Sequence, residues 1–283
     1  MTAPTTIGRL LADAPLVLPG VWDALSARLA ARAGCRAVFV SGYALSATRL
    51  GAGDLGLVTQ TEMLDAAARV CAVVEVPVIA DADTGYGDER NVARTVRELV
   101  RAGAAGCFLE DQMWPKRCGH LEGKRVVSLD EYLAKLRAAL RARGDAPFHV
   151  TARTDARAVH GLDDALVRAR AFADAGADAV FVEAPETEDE MARIRAAVPA
   201  DVPLVANMVE GGRTPLRSAS ALARAGYHII VRPLTALFAA THAVRDAYEA
   251  LRDEDRAADS PSFAFAEMND VLGVGHLTRA SRS

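Results

Sequence analysis

The chain is short of cysteine. Its 283 residues include four, Cys35, Cys71, Cys107 and Cys118, and no two stand at CxxC spacing. A chain of this size needs no disulfide staples, so a covalent framework is not expected and a reducing cytoplasm is the simplest home. Excess positive charge is also missing. The formal net charge is −4, which leaves no basic surface to advertise nucleic-acid binding. No apolar run is long enough to cross a bilayer, so no membrane partner is expected. The opening MTAPTTIGRLLADAPLVLPG has no basic leader, so no signal peptide is expected. No GxGxxG follows an early strand, which removes the main sign of a dinucleotide-binding sheet.

What is present suits a soluble globular protein with a large core: 51% of residues are hydrophobic and 25% charged. Eight short β-rich runs recur: LVLPG (16–20), AVFVSG (37–42), VPVIADAD (76–83), AGCFLED (105–111), FHVTARTD (148–155), AVFVEAP (179–185), PLVANMV (203–209) and HIIVRP (228–233). Between them lie Ala- and Arg-rich segments of helical periodicity, several ending in Ala-Gly, where glycine can stop a helix. The runs are apolar on both faces, as buried parallel strands are. The expected fold is α/β, a (β/α)8 barrel, over residues 1–250. Residues 251–262 read as a charged Pro/Ser-containing linker, and 263–274, FAFAEMNDVLGV, as a short amphipathic helix. Its aromatic stripe needs cover, from its own barrel or from a neighbouring subunit.

In such a barrel the chemistry lies at the C-terminal ends of the strands. The polar residues there are Ser41-Gly42-Tyr43, Asp81 and Asp83, Glu110-Asp111, Arg153-Thr154-Asp155, Glu183, Asn207, and Arg232 with Thr235. Acids at successive strand ends repel unless a cation joins them or one stays protonated. Asp81 and Asp83, facing one way from a straight strand, with Glu110 from the next strand, form a set of hard oxygen donors suited to Mg2+ or Mn2+ and not to Zn2+. The same acids could instead cap helices or pair with Arg153. Asp111 reads as a structural or capping residue.

From Asp111 to about Ser128 the chain shows no periodicity, a long connection for a compact barrel and a common form of lid. Gly119 and Gly123 can absorb backbone change there, while Pro115 stiffens the entrance. Cys118 sits among Lys116, Arg117 and His120. Neighbouring cations favour the thiolate and make the thiol more acidic than usual. A closed lid over an anionic ligand would instead keep it protonated, as a proton donor. An inert cysteine in a solvated basic loop is the plainer alternative. The other three cysteines read as core, and His149, His160, His228, His242 and His276 as packing or surface.

Taken in order, SGYALSA, GAGDLG, DADTGYG, EDQ…PKRCGH, ARTDA, EAP, NMVEGGRTP and PLTA resemble the isocitrate lyase / phosphoenolpyruvate mutase superfamily over residues 18–250. The resemblance implies a barrel whose eighth helix is exchanged with a partner subunit, in homo-oligomers (dimers or tetramers). It implies Mg2+ (or Mn2+) at Asp81, Asp83 and Glu110, some contacts running through water. It implies a small-molecule carboxylate substrate held by Ser41, Gly42 and Tyr43, with Asp54 near the metal. Lys116, Cys118, Gly119 and His120 match the mobile lid of the carbon–carbon lyases. Arg153 matches an arginine that orients the reacting oxygens, and Glu183, Asn207 and Thr235 match the far wall. Cys118 divides the family, since the phosphonopyruvate enzymes lack it. The function implied is therefore a Mg2+-dependent lyase that cleaves a small 2-hydroxy di- or tricarboxylate, of substituted-malate or methylisocitrate type, to a 2-oxo acid and a second carboxylic acid. Cys118 is then the proton donor. LEGKR after the cysteine motif, with NMVEGGRTP, resembles dimethylmalate lyase, plant petal-type lyases and carboxyphosphonoenolpyruvate mutase, the last of which carries the same KRCGH, so P–C bond formation is the alternative. A catalytically idle oligomeric barrel is the third reading. Arg232 replaces a tyrosine of methylisocitrate lyases; it either points outward to a salt bridge or inward to read an extra carboxylate or phosphoryl group.

Overall fold

The computed structural model describes residues 6–13, 15–252 and 263–274. The eight apolar runs form eight strands: β1 Leu16–Val21, β2 Val38–Val40, β3 Val78–Asp81, β4 Gly106–Glu110, β5 His149–Thr154, β6 Ala179–Val182, β7 Leu204–Asn207 and β8 Ile229–Arg232. Each runs parallel to the next, and β8 pairs with β1 to close the barrel. Helices fill the connections, so the expected (β/α)8 architecture is present. Both faces of the strands are buried, which is why the runs are apolar at nearly every position.

Alternate residues of each strand point into the barrel, and parallel register gathers them into layers. Phe39, Phe108, Phe181 and Val231, from the even-numbered strands, share one buried interior cluster. Their rings meet at centroid separations of 4.9 Å (Phe39–Phe108) and 5.9 Å (Phe108–Phe181). On the odd strands these four are register partners of Gly20, Asp81, Arg153 and Asn207. One inward step further along the even strands come Ser41, Glu110, Glu183 and Pro233. The polar strand-end residues thus continue the core's own periodicity past its last apolar layer. Gly20 is the position where β1 contributes no side chain, because a Cβ there would fall on the Pro233 carbonyl. At the opposite end the helix Ile7–Asp13 buries Ile7 and Leu10 against the same interior cluster.

The outer helices begin at local signals. Asp88 accepts from the backbone N–H groups of Arg90 and Asn91, and Thr59 and Glu62 cap each other reciprocally. Such caps contribute about 1 kcal/mol each. Tyr132, on the helix Leu129–Ala142, stacks on Phe172 at 4.4 Å and donates its hydroxyl to the Leu109 carbonyl at 2.6 Å. That bond fixes β4 one residue before Glu110.

After β8 the helix Thr235–Arg252 buries only Leu237 and Ala250 and leaves Phe238, Val244, Tyr248 and Leu251 exposed. The expected tail helix occurs as Phe265–Val271 and rests on its own chain: Val271 is buried, Arg32 pairs with Asp270, and Arg28 donates to the Val271 carbonyl at 3.5 Å. Phe265 remains 85% exposed. Most of the expected linker, 253–262, lies outside the described residues, as does His276. No described helix is long and apolar enough to cross a membrane.

Candidate active site

At the C-terminal mouth of the barrel a cavity encloses about 490 Å³, its opening included. Ser41, Tyr43, Asp54, Asp81, Lys116, Cys118, Gly119, His120, Arg153, Glu183 and Asn207 line it, above the aromatic layer. Asp83 and Glu110 are buried one contact away, the first 2.9 Å from Lys116 and the second 3.3 Å from Arg153. Thr235 is exposed and bonded to Glu210 instead of lining the cavity. Arg232 takes the outward orientation, its guanidinium donating to the Arg217 carbonyl at 2.7 Å.

The acids converge by a different route from the straight strand expected. β3 ends at Asp81, and Asp83 follows in a left-handed turn with φ 45°. The Asp83 N–H donates to Asp81 Oδ1 at 3.2 Å, and the Glu110 N–H donates to the Asp83 carbonyl at 2.8 Å. Gly42 closes over them: a Cβ there would lie 2.8 Å from Asp81 Oδ2 and 3.6 Å from Asp83 Oδ1. Burial pushes Asp81, Asp83 and Glu110 above the ordinary carboxylate range, against the pull of Lys116 and Arg153. Glu110 Oε1 is buried with no hydrogen-bond partner. Oxygen-only donors, an orphaned oxygen and a backbone cradle without a side chain fit a hard divalent cation. Among the described residues no three such side chains already converge as a finished cage. Mg2+ does not require one, since it keeps several waters and binds through one or two carboxylates. Lys116 supplies the positive charge here: its ammonium lies 2.7 Å from Asp54 Oδ1 and 2.9 Å from Asp83 Oδ1. Burial opposes that charge, but Asp83, Asp54 and Asp81 hold it well above the usual lysine range.

Arg153 is the second centre. Its Nε donates to Asp155 Oδ2 at 2.8 Å and its Nη2 to Asp155 Oδ1 at 3.1 Å. The same Nη2 lies 3.2 Å from Glu183 Oε2, and the guanidinium sits 5.2 Å from the centre of the Phe181 ring. Asn207 donates to both Glu183 oxygens at 3.3 and 3.2 Å. Asp111 proves structural: it accepts from Thr154 Oγ1 at 2.7 Å, from the Asp155 N–H at 2.9 Å and from Arg168 at 3.1 Å.

Between β4 and the helix Leu129–Ala142 the chain forms a loop closed by a single Gln112–Val126 bridge. The Gln112 amide pairs with the backbone of Arg117, donating to its carbonyl at 2.8 Å and accepting from its N–H at 3.0 Å. The Cys118 N–H then donates to the Asp54 carbonyl at 2.9 Å, which turns the thiol to the cavity. Gly119 comes so close to Glu183 and Arg153 Nη2 that a Cβ would overlap both. His120 Nδ1 accepts from the Arg213 N–H at 3.1 Å, so the neutral ring carries its proton on Nε2, 3.5 Å from Glu183 Oε1. Burial lowers its pKa, with Glu183 opposing, and keeps the ring neutral.

Of the two opposed expectations for Cys118, the surroundings run against the more acidic thiol. Burial pushes its thiol up to about 11; the His120 N–H and Lys116 pull down while Asp54 and Glu183 add to the rise. The cations that were to stabilise a thiolate are engaged elsewhere, Lys116 by Asp54 and Asp83, and Arg117 by the Glu122 carbonyl. Its surroundings therefore favour the neutral thiol over the thiolate.

One site-building residue, Lys124, escaped sequence reasoning, and Asp155, noted at its strand end, was given no role. Lys124 is buried and reaches the Gly119 carbonyl and Asp155 Oδ1, the latter at 3.0 Å. Asp155 is held at about 2 by Arg153 and Lys124 against the opposing effect of burial. A role for Asp155 was findable, since it lies two residues past Arg153 and so on the same inward face; nothing in LEGKR says which cation turns inward.

The chain matches the family model described as phosphoenolpyruvate phosphomutase over residues 8–252. It is 46% identical over 277 residues to carboxyvinyl-carboxyphosphonate phosphorylmutase, chloroplastic, of Arabidopsis thaliana, covering 95% of this chain and 81% of the relative. It is 45% identical over 261 residues to 2,3-dimethylmalate lyase of Eubacterium barkeri, covering 92% and 90%. A solved 2,3-dimethylmalate lyase structure superposes with TM-score 0.93 at 38% identity, covering 99% of this chain and 94% of that one.

Proposed function

The chain belongs to the phosphoenolpyruvate phosphomutase family, within the PEP mutase/isocitrate lyase superfamily, and on that premise we propose that it is a Mg2+-dependent carbon–carbon lyase. Its substrate is a small 2-hydroxy di- or tricarboxylate of the substituted-malate or methylisocitrate type. The products are a 2-oxo acid and a second carboxylic acid. The observation that supports a lyase is Cys118 on the wall of the cavity that also holds Arg153, its N–H tied to the Asp54 carbonyl at 2.9 Å, where burial favours the neutral thiol.

Asp81, Asp83 and Glu110 are the residues to hold the cation. When bound, it supplies positive charge against the substrate carboxylate and the oxygen on C2. The chain's own groups do the rest. Ser41, Gly42 and Tyr43 receive a carboxylate at the end of β2. The C2 hydroxyl loses its proton to a carboxylate of the mouth, the C2–C3 bond breaks, and C2 becomes a carbonyl. The electron pair stays on C3, conjugated with the neighbouring carboxylate. Arg153 and the Nε2–H of His120 offset the developing charge. Cys118 delivers its proton to C3. Asp54 holds Lys116, and so the loop that excludes water while the carbanion lives.

The test is a panel of isocitrate, methylisocitrate, 2,3-dimethylmalate and 2-ethyl-3-methylmalate with Mg2+, reading the 2-oxo acid formed. Product from at least one is expected. The phosphorylmutase relative, as similar as the lyase, favours one second reading, P–C bond formation. Turnover of carboxyphosphonoenolpyruvate alone would establish it, and no turnover at all would leave an idle barrel. The same proposal puts a second copy of the chain over the exposed face of the helix Thr235–Arg252. It puts the enzyme in a reducing cytoplasm, consistent with four free cysteines.

A further inference from the structure

We propose that Lys124 is a positioning residue: its ammonium latches the 112–126 loop to the barrel at Asp155 and, through Asp155, sets the direction of the Arg153 guanidinium. Lys124 belongs to the loop, yet its side chain is 1% exposed. It donates to two acceptors, the Gly119 carbonyl of its own loop and Asp155 Oδ1 just past β5. Asp155 Oδ1 also accepts from Arg153 Nη2 at 3.1 Å, and Oδ2 takes Arg153 Nε at 2.8 Å. Lys124 and Arg153 therefore share one oxygen of one buried carboxylate.

The charge count explains why that sharing matters. Arg153 faces three buried acids, Asp155, Glu110 and Glu183. With Lys124 in place, part of Asp155's charge is already met, and the guanidinium can lean toward the other two and the cavity. Asp155 already takes both Nε and Nη2 of Arg153; without Lys124 the whole charge of Asp155 would fall on that fork and draw it away from Glu110 and Glu183. The Gly119 backbone would lose its tie at the same moment, and Gly119 is the residue that fits against Arg153 Nη2 and Glu183. One ammonium thus couples the seating of the loop to the aim of the arginine. The inference rests on reading this cavity as a reaction site.

The experiment compares wild type with Lys124→Met and Lys124→Arg by three readings: thermal midpoint, trypsin cleavage after Arg117 resolved by mass, and kcat on whichever panel substrate is turned over. Lys124→Met should speed cleavage after Arg117 by about tenfold or more while cleavage elsewhere in the barrel stays slow. It should cut kcat by about 10²-fold. Lys124→Arg, which keeps a cation, should recover slow cleavage and most of the turnover. Lys124→Gln, with a donor but no charge, serves in the same comparison if the methionine variant does not fold. Wild-type cleavage in the uncharged variants overturns the latch, as does faster cleavage throughout the chain with Lys124→Arg no better than Lys124→Met. A wild type inactive on every malate and isocitrate, but with Lys124-dependent protection of Arg117, sinks the lyase reading and leaves the latch standing. Turnover that ignores Lys124 in both readings does the reverse.

Discussion

Cys118 shows how far a residue's neighbours in sequence differ from its neighbours in space. Lys116, Arg117 and His120 surround it in the chain, yet Lys116 is spent on two carboxylates and His120 is neutral. The thiol, at about 11, is protonated at neutral pH and loses its proton only as the pH rises through that value. A donor of that kind remains competent across the physiological range. Cys118→Ala should therefore reduce turnover by about 10²-fold or more without loss of fold. The wild type's kcat should also show an alkaline fall near pH 11 that the variant lacks. Alanine enzyme with undiminished turnover would return Cys118 to a packing role. No comparable argument could have been made from KRCGH alone, because the acids that cancel the lysine come from Asp54 and Asp83, remote in the chain.

The elements were legible to very different degrees. The strands could be read because a buried parallel strand must be apolar on both faces, and runs such as AVFV and HIIV have no other use. The strand-end residues could be read for the same reason: Asp81, Arg153 and Asn207 keep the inward step of Ile79, Thr151 and Val205. The loop 112–126 could be recognised only by its lack of pattern, and its contacts could not, since they are set by what the barrel mouth offers. The helix Thr235–Arg252 lies between these cases. Its periodicity announces a helix, but Phe238, Tyr248 and Leu251 at 39%, 69% and 62% exposure have no cover within the described chain. Fully burying an exposed leucine or phenylalanine contributes about 1.5–3 kcal/mol, and covering the part of each that is exposed here a share of that. A second copy supplying that cover predicts a dimer or tetramer mass in sedimentation. Tyr248→Lys with Leu251→Asp should shift it toward the monomer, and a monomeric wild type at micromolar concentration would remove the second copy.

On the scale of the whole molecule, charge is distributed unevenly. The chain carries a formal −4, and much of that excess is gathered at one end of the barrel. Asp54, Asp81, Asp83, Glu110, Asp155 and Glu183 are buried there against only Lys116, Lys124 and Arg153. Buried anions in excess destabilise the native state, and burial drives the three strand-end acids upward for that reason. A ligand that offsets this charge binds the folded form alone, because unfolding scatters the acids along the chain. Mg2+ should then raise the thermal midpoint in proportion to its occupancy. The gain is about 2.7 kcal/mol at a hundred times its Kd, and each 1 kcal/mol is worth roughly 2–4 °C in a chain near this size. Chelator should reverse the rise, and Asp83→Ala should abolish most of its dependence on Mg2+ while leaving the barrel folded. A wild-type midpoint identical in chelator and in millimolar Mg2+ would mean that Lys116 and Arg153 already meet the acids' need, and that these carboxylates bind no cation beyond them.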